Sequence, residues 1–349
     1  MKISVLLPFF NEEKQIPLTL EAVEQALIDL PTKLKQKPEN LSYEIICIDD
    51  GSSDRTGSVL ATEAAKRPGL KILYFSRNFG KEAAICAGLD AVSGDCAILM
   101  DGDLQHPPSY FPTMVNLWQQ GYEVVEGVKQ ERQNESRFSR WAANLFYGLF
   151  HRLGGLELKN ASDFKLLDKK VVMAWQTLNE RETFFRGLSA WLGFKRTSFE
   201  FEVADRTVGQ GKWKLKNLLK LSITAITSFS ARPLHLIAGL GLICLVGSFI
   251  LMIQTLVRFF MGRAAGGFTT VILLQLLIGG AIMLSLGLIG IYLGRIYDEI
   301  KGRPRYLIRD VRESAADGQV TSAGQAGLGL TSGQVDRSEV ISPSSDGPD

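Results

Sequence analysis

Short and almost continuous apolar runs alternate with longer amphipathic stretches in the first part of the chain. The runs lie at residues 3–7, 44–48, 71–75 and 96–100. Runs of this length, separated by segments with helical periodicity, are typical of parallel strands that helices cover on both faces. The pattern therefore predicts an α/β fold with a Rossmann-like, mostly parallel and doubly wound sheet.

The pattern changes after the first two-thirds of the chain. Lysines at four-residue spacing, with apolar residues between them, predict an interfacial amphipathic helix over residues 212–232. Within residues 233–295, apolar stretches at about 234–257 and 268–293 are each long enough to cross a hydrocarbon core of about 30 Å. We therefore predict two transmembrane helices at the carboxyl-terminal side of a folded domain.

The distribution of basic residues predicts how these segments are oriented. Lysines and arginines cluster before the first span and after the second, whereas the connection between the spans carries only two arginines. The positive-inside rule therefore places both termini, and the folded domain of residues 1–211, in the cytoplasm. Residues 296–312 form a basic cytoplasmic segment in this prediction, and residues 313–349, rich in Ser, Gly, Ala and Asp, form a disordered tail.

Composition narrows the class of partner. The formal net charge is +2, and no basic stripe is interleaved with aromatic residues, so a nucleic-acid partner is not expected. The four cysteines stand singly within apolar runs, which is typical of buried reduced thiols in the cytosol. Membrane lipids are the partner that the sequence favours.

Each of the first four apolar runs stops at a cluster of polar residues. The clusters lie at residues 8–12, 49–54, 76–81 and 101–103. In an open α/β sheet, ligands bind outside the carboxyl ends of the strands, so clusters at four such ends converge on one crevice. We therefore expect the binding site at this edge of the sheet.

The fourth cluster carries the strongest chemical signal. Asp101 and Asp103 flank Gly102, and Gln105 follows two residues later. In an extended stretch, the side chains of Asp101, Asp103 and Gln105 point to the same side, which predicts a site for one hard divalent cation. A simple turn is the alternative for the acidic triplet alone. His106 either contacts a diphosphate or only completes the turn.

The second cluster contains two adjacent carboxylates, Asp49 and Asp50. A turn that leads into a helix explains the residues after them, with Ser53 or Asp54 as the cap. It does not explain two like charges side by side, which repel unless they bind something. We therefore prefer Asp50 as a contact to the ribose or base of a nucleotide.

Six segments of the chain together resemble a known family. They are residues 5–12, 49–56, 77–81, 101–107, 163–166 and 206–213. In this order they are similar to the type 2 glycosyltransferases of the GT-A fold. Within that family they resemble the polyprenyl-phosphate sugar synthases, which include dolichol-phosphate mannose synthases and bactoprenol glucosyltransferases. Two positions depart from the family pattern, since Lys165 and Gly211 stand where arginine and serine are usual.

The resemblance implies a set of site residues. The nucleotide-sugar donor is expected on Pro8, Phe10, Glu12, Asp50, Lys81, Asp101 and Gly102. Mg²⁺ or Mn²⁺ is expected to bind Asp101, Asp103 and Gln105. The catalytic residues are expected to be Asp101, Asp103 and Asp163. The acceptor phosphate is expected to bind Lys129, Arg132, Arg206 and Lys212.

The resemblance also implies a reaction. In this reaction a hexose is transferred to undecaprenyl or another polyprenyl phosphate at the cytoplasmic face of a bacterial inner membrane. The expected donor is UDP-glucose, which supplies glucose, and the transfer inverts the anomeric carbon. Because a phosphate oxygen is already ionised at neutral pH, such a site aligns the reactants and neutralises charge rather than removing a proton.

Several alternatives stay open at this point. GDP-mannose, UDP-N-acetylglucosamine or a modified arabinose donor would use the same carboxylates. The protein could also form a homo-oligomer. A processive polysaccharide synthase shares the fold, but its Gln-x-x-Arg-Trp motif is absent, since Arg137 precedes Arg140 and Trp141. A non-catalytic membrane protein that binds nucleotide sugars is the alternative from another class.

Overall fold

The computed structural model describes residues 1–129, 161–178, 180, 184–202, 232–261, 268–314 and 318–320. Its strands are β1 (Lys2–Phe9), β2 (Leu41–Asp49), β3 (Leu70–Phe75), β4 (Cys96–Leu99), β5 (Val124–Lys129), β6 (Ala161–Asp168), β7 (Arg196–Phe201), β8 (Ile308–Glu313) and β9 (Gly318–Val320). Its α-helices are α1 (Ile16–Lys33), α2 (Thr56–Ala64), α3 (Lys81–Asp90), α4 (Phe111–Gln119), α5 (Lys169–Gln176), α6 (Phe185–Trp191), α7 (Arg232–Phe260) and α8 (Phe268–Ile300).

The four apolar runs form the parallel centre of one sheet, as predicted. Strands β3, β2, β1 and β4 lie side by side in that order and are parallel. The chain therefore winds outward from β1 to β3 and then returns to the other side of β1. This reversal leaves a crevice between the carboxyl ends of β1 and β4, which is where open α/β sheets bind ligands.

Helices cover both faces of the sheet because successive strand side chains point in opposite directions. Ile3, Val5 and Leu7 of β1 pack in one apolar cluster with the buried face of α1. Leu6 packs on the other face with residues of α3, α5 and α6, including Trp175. The prediction of an α/β fold with helices on both faces is confirmed.

The described sheet continues beyond its parallel centre in both directions. Next to β4, β6 runs antiparallel, followed by β5 and β7. At the other edge β8 pairs antiparallel with β3, and β9 pairs with the start of β2. Helices α7 and α8 lie between β7 and β8 in the chain, so the sheet contains strands from both sides of this helical pair.

Regular structure extends beyond the two predicted spans in the carboxyl-terminal part. Helix α8 ends at Ile300 and β8 begins at Ile308, both inside the segment predicted as basic and cytoplasmic. Residues 318–320, which lie within the segment predicted as a disordered tail, form β9. Four of the six side chains of β8 are charged, which is common in strands at the outer edge of a sheet but is easily read as a loop.

Helices α7 and α8 are long and apolar enough to cross a membrane. The qualifying stretches are Ile237–Arg258 and Leu274–Ile300, and neither is buried inside the protein. Large side chains such as Phe249 and Leu284 are 57% and 76% exposed. Exposed apolar surface of this extent is typical of a surface that contacts lipid or another protein. The predicted interfacial helix, residues 212–232, lies outside the described residues except for Arg232, which begins α7.

The segment after α8, residues 303–314, returns to the folded domain and is named here the C-terminal strap. The ring of Tyr306 stacks on Phe75 at 5.2 Å with an interplanar angle of 8°. Its hydroxyl donates to Asp90 Oδ2 at 2.6 Å, and the backbone of Leu307 accepts from Ser76 N at 3.0 Å. These contacts fasten the end of α8 to β3 and to the far end of α3.

Replacing Tyr306 by alanine is expected to destabilise the domain. The change removes the ring stack and the hydrogen bond, and for a half-buried aromatic residue it should lower the free energy of unfolding by about 2 kcal/mol. Tyr306→Phe keeps the stack and should lose about 1 kcal/mol. Urea unfolding in detergent measures both effects. Trp191→Ala, at a 58% exposed aromatic residue, is the control. Equal midpoints for Tyr306→Ala and wild type would mean that the strap does not stabilise the fold.

Candidate active site

A cleft of about 430 Å³ lies at the carboxyl edge of the parallel strands. Its lining includes Pro8, Phe10, Glu12, Asp50, Lys81, Asp101, Gly102, Asp103, Gln105 and Lys129, all of which the sequence placed in the site. Phe9, Asn78 and Gly80 also line it; they belong to the predicted clusters but were not named as site residues. Ala84 and Arg186 line it too, lie outside those clusters and were not predicted. The convergence expected from the strand ends is therefore present. Arg132, Arg206 and Lys212 lie outside the described residues.

The acidic segment after β4 adopts a different backbone from the one assumed in the sequence analysis. Strand β4 ends at Leu99, and residues 101–105 form turns and bends rather than an extended stretch. Leu104 has a φ of 59°, which breaks the alternation of side chains. The expectation that alternation alone aligns the three ligands is wrong. Asp101, Asp103 and Gln105 nevertheless line the same cleft, because the turn folds back on itself, with Asp103 Oδ1 accepting from Gln105 N at 3.1 Å.

Gly102 is required by the close approach of this turn to β1. A Cβ atom at this position would lie 2.4 Å from Phe9 Cε1 and 2.9 Å from Glu12 Oε2. The carbonyl oxygen of Gly102 accepts a hydrogen bond from Thr19 Oγ1 at 2.5 Å. Glycine between the two aspartates thus lets the acidic turn pack directly against the end of β1.

His106 anchors the acidic turn from inside the protein. Its side chain is 2% exposed, its ring stacks on Phe164 at 5.1 Å, and its Nδ1 accepts a hydrogen bond from Asp101 N at 3.0 Å. Burial lowers the pKa of His106, so the ring is neutral at neutral pH with its proton on Nε2. Of the two roles left open by the sequence, the structure supports the one in the turn.

The doubled carboxylate at the end of β2 has a structural explanation. Asp49 Oδ1 accepts from Ser52 N at 3.0 Å and closes the following turn. Asp50 accepts hydrogen bonds from Phe79 N at 2.7 Å and from Gly80 N at 2.9 Å. Asp50 thereby holds the loop that leads into α3, and a nucleotide contact by the same carboxylate stays a prediction. Burial raises the pKa of Asp50, against the effect of these backbone donors.

Lys81, the first residue of α3, forms ion pairs with Asp101, which lines the cleft, and with the buried Asp163. Its Nζ lies 2.6 Å from Asp101 Oδ1 and 2.6 Å from Asp163 Oδ2. Arg186 binds Asp163 from the other side with a two-pronged contact, Nε to Oδ1 at 2.8 Å and Nη2 to Oδ2 at 3.0 Å. The site therefore contains a chain of alternating charges that runs from Asp101 through Lys81 and Asp163 to Arg186.

These contacts decide what Asp163 can do chemically. Its side chain is 6% exposed, and burial alone would raise its pKa, but Lys81 and Arg186 hold the pKa far below its usual range. A carboxylate of such low pKa is ionised at neutral pH and is a very weak proton acceptor. The geometry therefore favours a positioning role for Asp163, between strand β6 and helices α3 and α6.

Helix α6 is held at three places, two on strand β6 and one on helix α3, and sequence analysis missed this helix as part of the site. Besides the contact between Arg186 and Asp163, Glu82 accepts from Phe185 N at 2.8 Å, and Lys165 Nζ donates to Ser189 Oγ at 2.6 Å. Arg186 and Ser189, three residues apart in a largely apolar segment, are the signal that could have identified this polar face.

Lys165, one of the two departures from the family pattern, lies below the cleft rather than in it. It is 1% exposed, and its Nζ lies 3.1 Å from Glu126 Oε1. Burial lowers the pKa of Lys165 although Glu126 opposes this. The lysine therefore supports α6 and β5 from within the core.

The donor atoms of the acidic turn fit a hard divalent cation that is shared with a diphosphate. Asp101, Asp103 and Gln105 supply only oxygen ligands, which Mg²⁺ and Mn²⁺ prefer. A cation already contacts Asp101, namely the ammonium of Lys81. The part of the chain that the structure describes has no group of three His, Cys, Asp or Glu side chains placed for a metal. The protein ligands alone would thus leave positions for phosphate oxygens and water.

Comparison with known proteins identifies relatives over most of the chain. Residues 4–175 match the family described as Glycosyl transferase family 2. An uncharacterized glycosyltransferase of Bacillus subtilis (strain 168), YkcC, is 37% identical over 311 residues, which cover 88% of this chain and 94% of that protein. The SfII prophage-derived bactoprenol glucosyl transferase of Shigella flexneri is 35% identical over 314 residues, or 88% of this chain and 98% of that protein.

A solved structure is similar at lower identity. It is glucosyl-3-phosphoglycerate synthase from Mycobacterium tuberculosis in complex with Mn²⁺, UDP-glucose and phosphoglyceric acid. The TM-score is 0.42 and the sequence identity 21%, with 65% of this chain and 78% of that chain covered.

Glu82 is expected to make folding depend on pH. Burial, and next the charge of Asp163, raise the pKa of Glu82 from 4.5 to about 7. A carboxyl group whose pKa is higher in the folded state favours folding when protonated. Its contribution is therefore complete below about pH 4.5 and is lost as the pH rises to about 7, a change of up to about 2 kcal/mol for this partly exposed group.

Glu82→Gln keeps an acceptor for Phe185 N and removes the charge, so it isolates this effect. Unfolding midpoints of both proteins, measured from about pH 5 to about pH 8, should show the variant gaining stability relative to wild type as the pH rises. His106 is present in both proteins, so its contribution cancels in the difference. A difference between the two proteins that stays constant with pH would contradict the raised pKa.

Proposed function

The chain belongs to glycosyl transferase family 2, and we propose that it transfers glucose from UDP-glucose to undecaprenyl or another polyprenyl phosphate with inversion. One observation carries this proposal. The acidic turn of Asp101 and Asp103, the end of β1 and the cations Lys81 and Lys129 line one cleft at the crevice between β1 and β4. A cleft with both carboxylates and cations suits two phosphate-bearing substrates held side by side.

The donor occupies the part of the cleft between the ends of β1 and β2. Pro8, Phe10 and Glu12 line it from β1 and the loop that follows, and Asp50 and Lys81 border it from the ends of the next elements. Phe10 is 46% exposed, which leaves an aromatic face for the base. Asp101 and Gly102 complete the contact with the sugar diphosphate in this proposal.

Asp101, Asp103 and Gln105 would hold Mg²⁺ or Mn²⁺. Such a cation neutralises the negative charge that develops on a departing nucleoside diphosphate. Among the protein's own side chains, Lys81 would also neutralise this charge, because its ammonium lies in the same cleft and is held by Asp101 and Asp163. Its pKa is raised by the two carboxylates against the effect of burial, so it is charged at neutral pH.

The acceptor attacks without a general base. A phosphate oxygen of the lipid forms the new bond to C1 of the sugar while the bond from C1 to the diphosphate breaks, and UDP leaves. The attacking oxygen is already ionised at neutral pH. This agrees with the low pKa of Asp163, which suits it to positioning rather than to proton transfer.

The carboxyl-terminal helices bring this cleft to the acceptor. A polyprenyl phosphate is confined to the bilayer, and α7 and α8 would anchor the enzyme there, in the bacterial cytoplasmic membrane. We propose that both termini are cytoplasmic. The strap supports this arrangement, because it ties the chain after α8 to the same domain that precedes α7.

Transfer is expected to require a divalent cation and Asp103. Purified enzyme in detergent, given radiolabelled UDP-glucose and a short polyprenyl phosphate, should form labelled lipid, lose this activity in EDTA and regain it with excess Mg²⁺ or Mn²⁺. Asp103→Asn should lower kcat/KM by about 100-fold or more, because it removes a ligand that acts on the transition-state charge.

Asp29→Asn is the matched control, since Asp29 is 41% exposed on α1 and pairs only with Lys33 among the ion pairs of the described residues. Transfer that persists in EDTA would exclude the metal role. GDP-mannose, UDP-N-acetylglucosamine and an activated arabinose belong in the same assay, and a faster reaction with one of them would replace UDP-glucose as the donor. Labelled polymer in place of labelled lipid would support a processive synthase.

Membrane insertion is expected to place the turn after α7 outside the cytoplasm. A single cysteine is introduced in a Cys244→Ser background, either at Met261, which is 69% exposed, or at Lys301 after α8. An impermeant maleimide should label Met261→Cys in spheroplasts and Lys301→Cys only in inverted vesicles. Labelling of both positions from the same side would rule out two spans.

A further inference from the structure

Arg186 lines the cleft but has no role in the site derived from sequence. It lies in the first turn of α6, and its side chain is 36% exposed, whereas its partner Asp163 is 6% exposed. The exposed part of the guanidinium belongs to the lining of the cleft that also contains Lys129 and the acidic turn. The guanidinium of Arg186 is thus held by Asp163 on its buried side and exposed to the cleft on its other side.

The contact with Asp163 leaves most of the guanidinium donors unused. A guanidinium group has five N–H donors, and the two-pronged contact engages Nε and one hydrogen of Nη2. Among the residues that the structure describes, Asp163 is the one hydrogen-bond acceptor of this side chain. Donors on the cleft side are therefore available to a ligand.

The docking of α6 does not by itself require this arginine. Glu82 already holds the amino-terminal end of the helix through Phe185 N, and Lys165 holds its middle through Ser189. A residue needed only for packing could be apolar at this position. An arginine that is pinned by a buried carboxylate has a defined direction, which is what recognition of a phosphate group requires.

Lys129, at the end of β5, lies near enough to Arg186 for the two charges to repel. Burial lowers the pKa of Lys129, and Arg186 is the next largest cause. Within the described residues Lys129 has no ion-pair partner, while Lys81 is already matched by Asp101 and Asp163. Lys129 and Arg186 line one cleft and repel each other, so an anion bound between them would be stabilised.

We propose that Arg186 binds the phosphate of the acceptor together with Lys129, and that Asp163 positions Arg186 for this contact. The inference rests on the proposed function. A phosphomonoester carries close to two negative charges at neutral pH, which two cations match. The charge of the donor diphosphate would be neutralised by Lys81 and by the divalent cation that the acidic turn would hold, so the site beside Asp163 falls to the acceptor.

The test compares Arg186→Gln and Arg186→Lys with wild type as full-length protein in detergent. For Arg186→Gln, the KM for a short polyprenyl phosphate should rise by about 10-fold to 100-fold, because one charge-assisted contact to phosphate is lost. The KM for UDP-glucose should not change. The acceptor KM of Arg186→Lys should lie between those of wild type and Arg186→Gln, because lysine keeps the charge but cannot make a two-pronged contact.

Arg196→Gln is the matched control, because Arg196 also pairs with a buried carboxylate, that of Glu126 at 2.7 Å, and is 43% exposed outside the cleft. It should leave both KM values unchanged. If Arg186→Gln lowers only kcat, or raises the KM for the donor, the acceptor assignment is overturned. If Arg196→Gln raises the acceptor KM equally, the effect is structural and the assignment is also overturned.

Direct binding separates this inference from the proposed function. Farnesyl phosphate is titrated into each protein in the presence of UDP, with farnesol as the probe that lacks the phosphate. Weaker binding of farnesyl phosphate, but not of farnesol, to Arg186→Gln supports the inference even if no glucose is transferred. Wild-type protein that binds the two probes equally would overturn it. UDP binding by Arg186→Gln verifies that the variant is folded.

Discussion

The ion pairs that the Lys81 ammonium makes with Asp101 and Asp163 are the contacts on which the rest of the site depends. They connect the acidic turn after β4 to strand β6 through the first residue of α3, so three elements share one arrangement of charge. Without the lysine, two carboxylates would repel each other at the edge of a partly buried cleft. With it, Asp163 keeps its charge and can in turn hold Arg186.

The fold supplies this contact with a fixed frame. The reversal of strand order between β1 and β4 opens the crevice, and Gly102 lets the acidic turn reach the end of β1. The C-terminal strap fixes the opposite end of α3 through Tyr306 and Asp90. The helix that carries Lys81 is thus held at both ends, and its second fixed point comes from chain that follows the apolar helices. A protein that works on a membrane-bound acceptor gains from such a link, since anchor and site then move together.

The division of charge in the cleft suits the proposed reaction with a phosphate acceptor. Asp163, saturated by two cations, is unsuited to remove a proton, and an ionised phosphate oxygen needs no such removal. Oxygen ligands are concentrated in the acidic turn, whereas Lys129 and Arg186 present positive charge to the same space. Family membership supports glycosyl transfer, and these local properties suit the phosphate-bearing substrates that we propose.

The sequence by itself determined the parallel strands, the convergence of their polar ends, the apolar helices and most of the cleft residues. These features are local, because periodicity and strand-end composition show in a short window of sequence. Tertiary structure alone decided the conformation of the acidic turn, the ion pairs of Asp163 with Lys81 and Arg186, and the addition of β8 to the sheet. Each of these depends on a partner distant in the chain, such as Lys81 for Asp163. A short window of sequence around either partner does not show that the two come into contact.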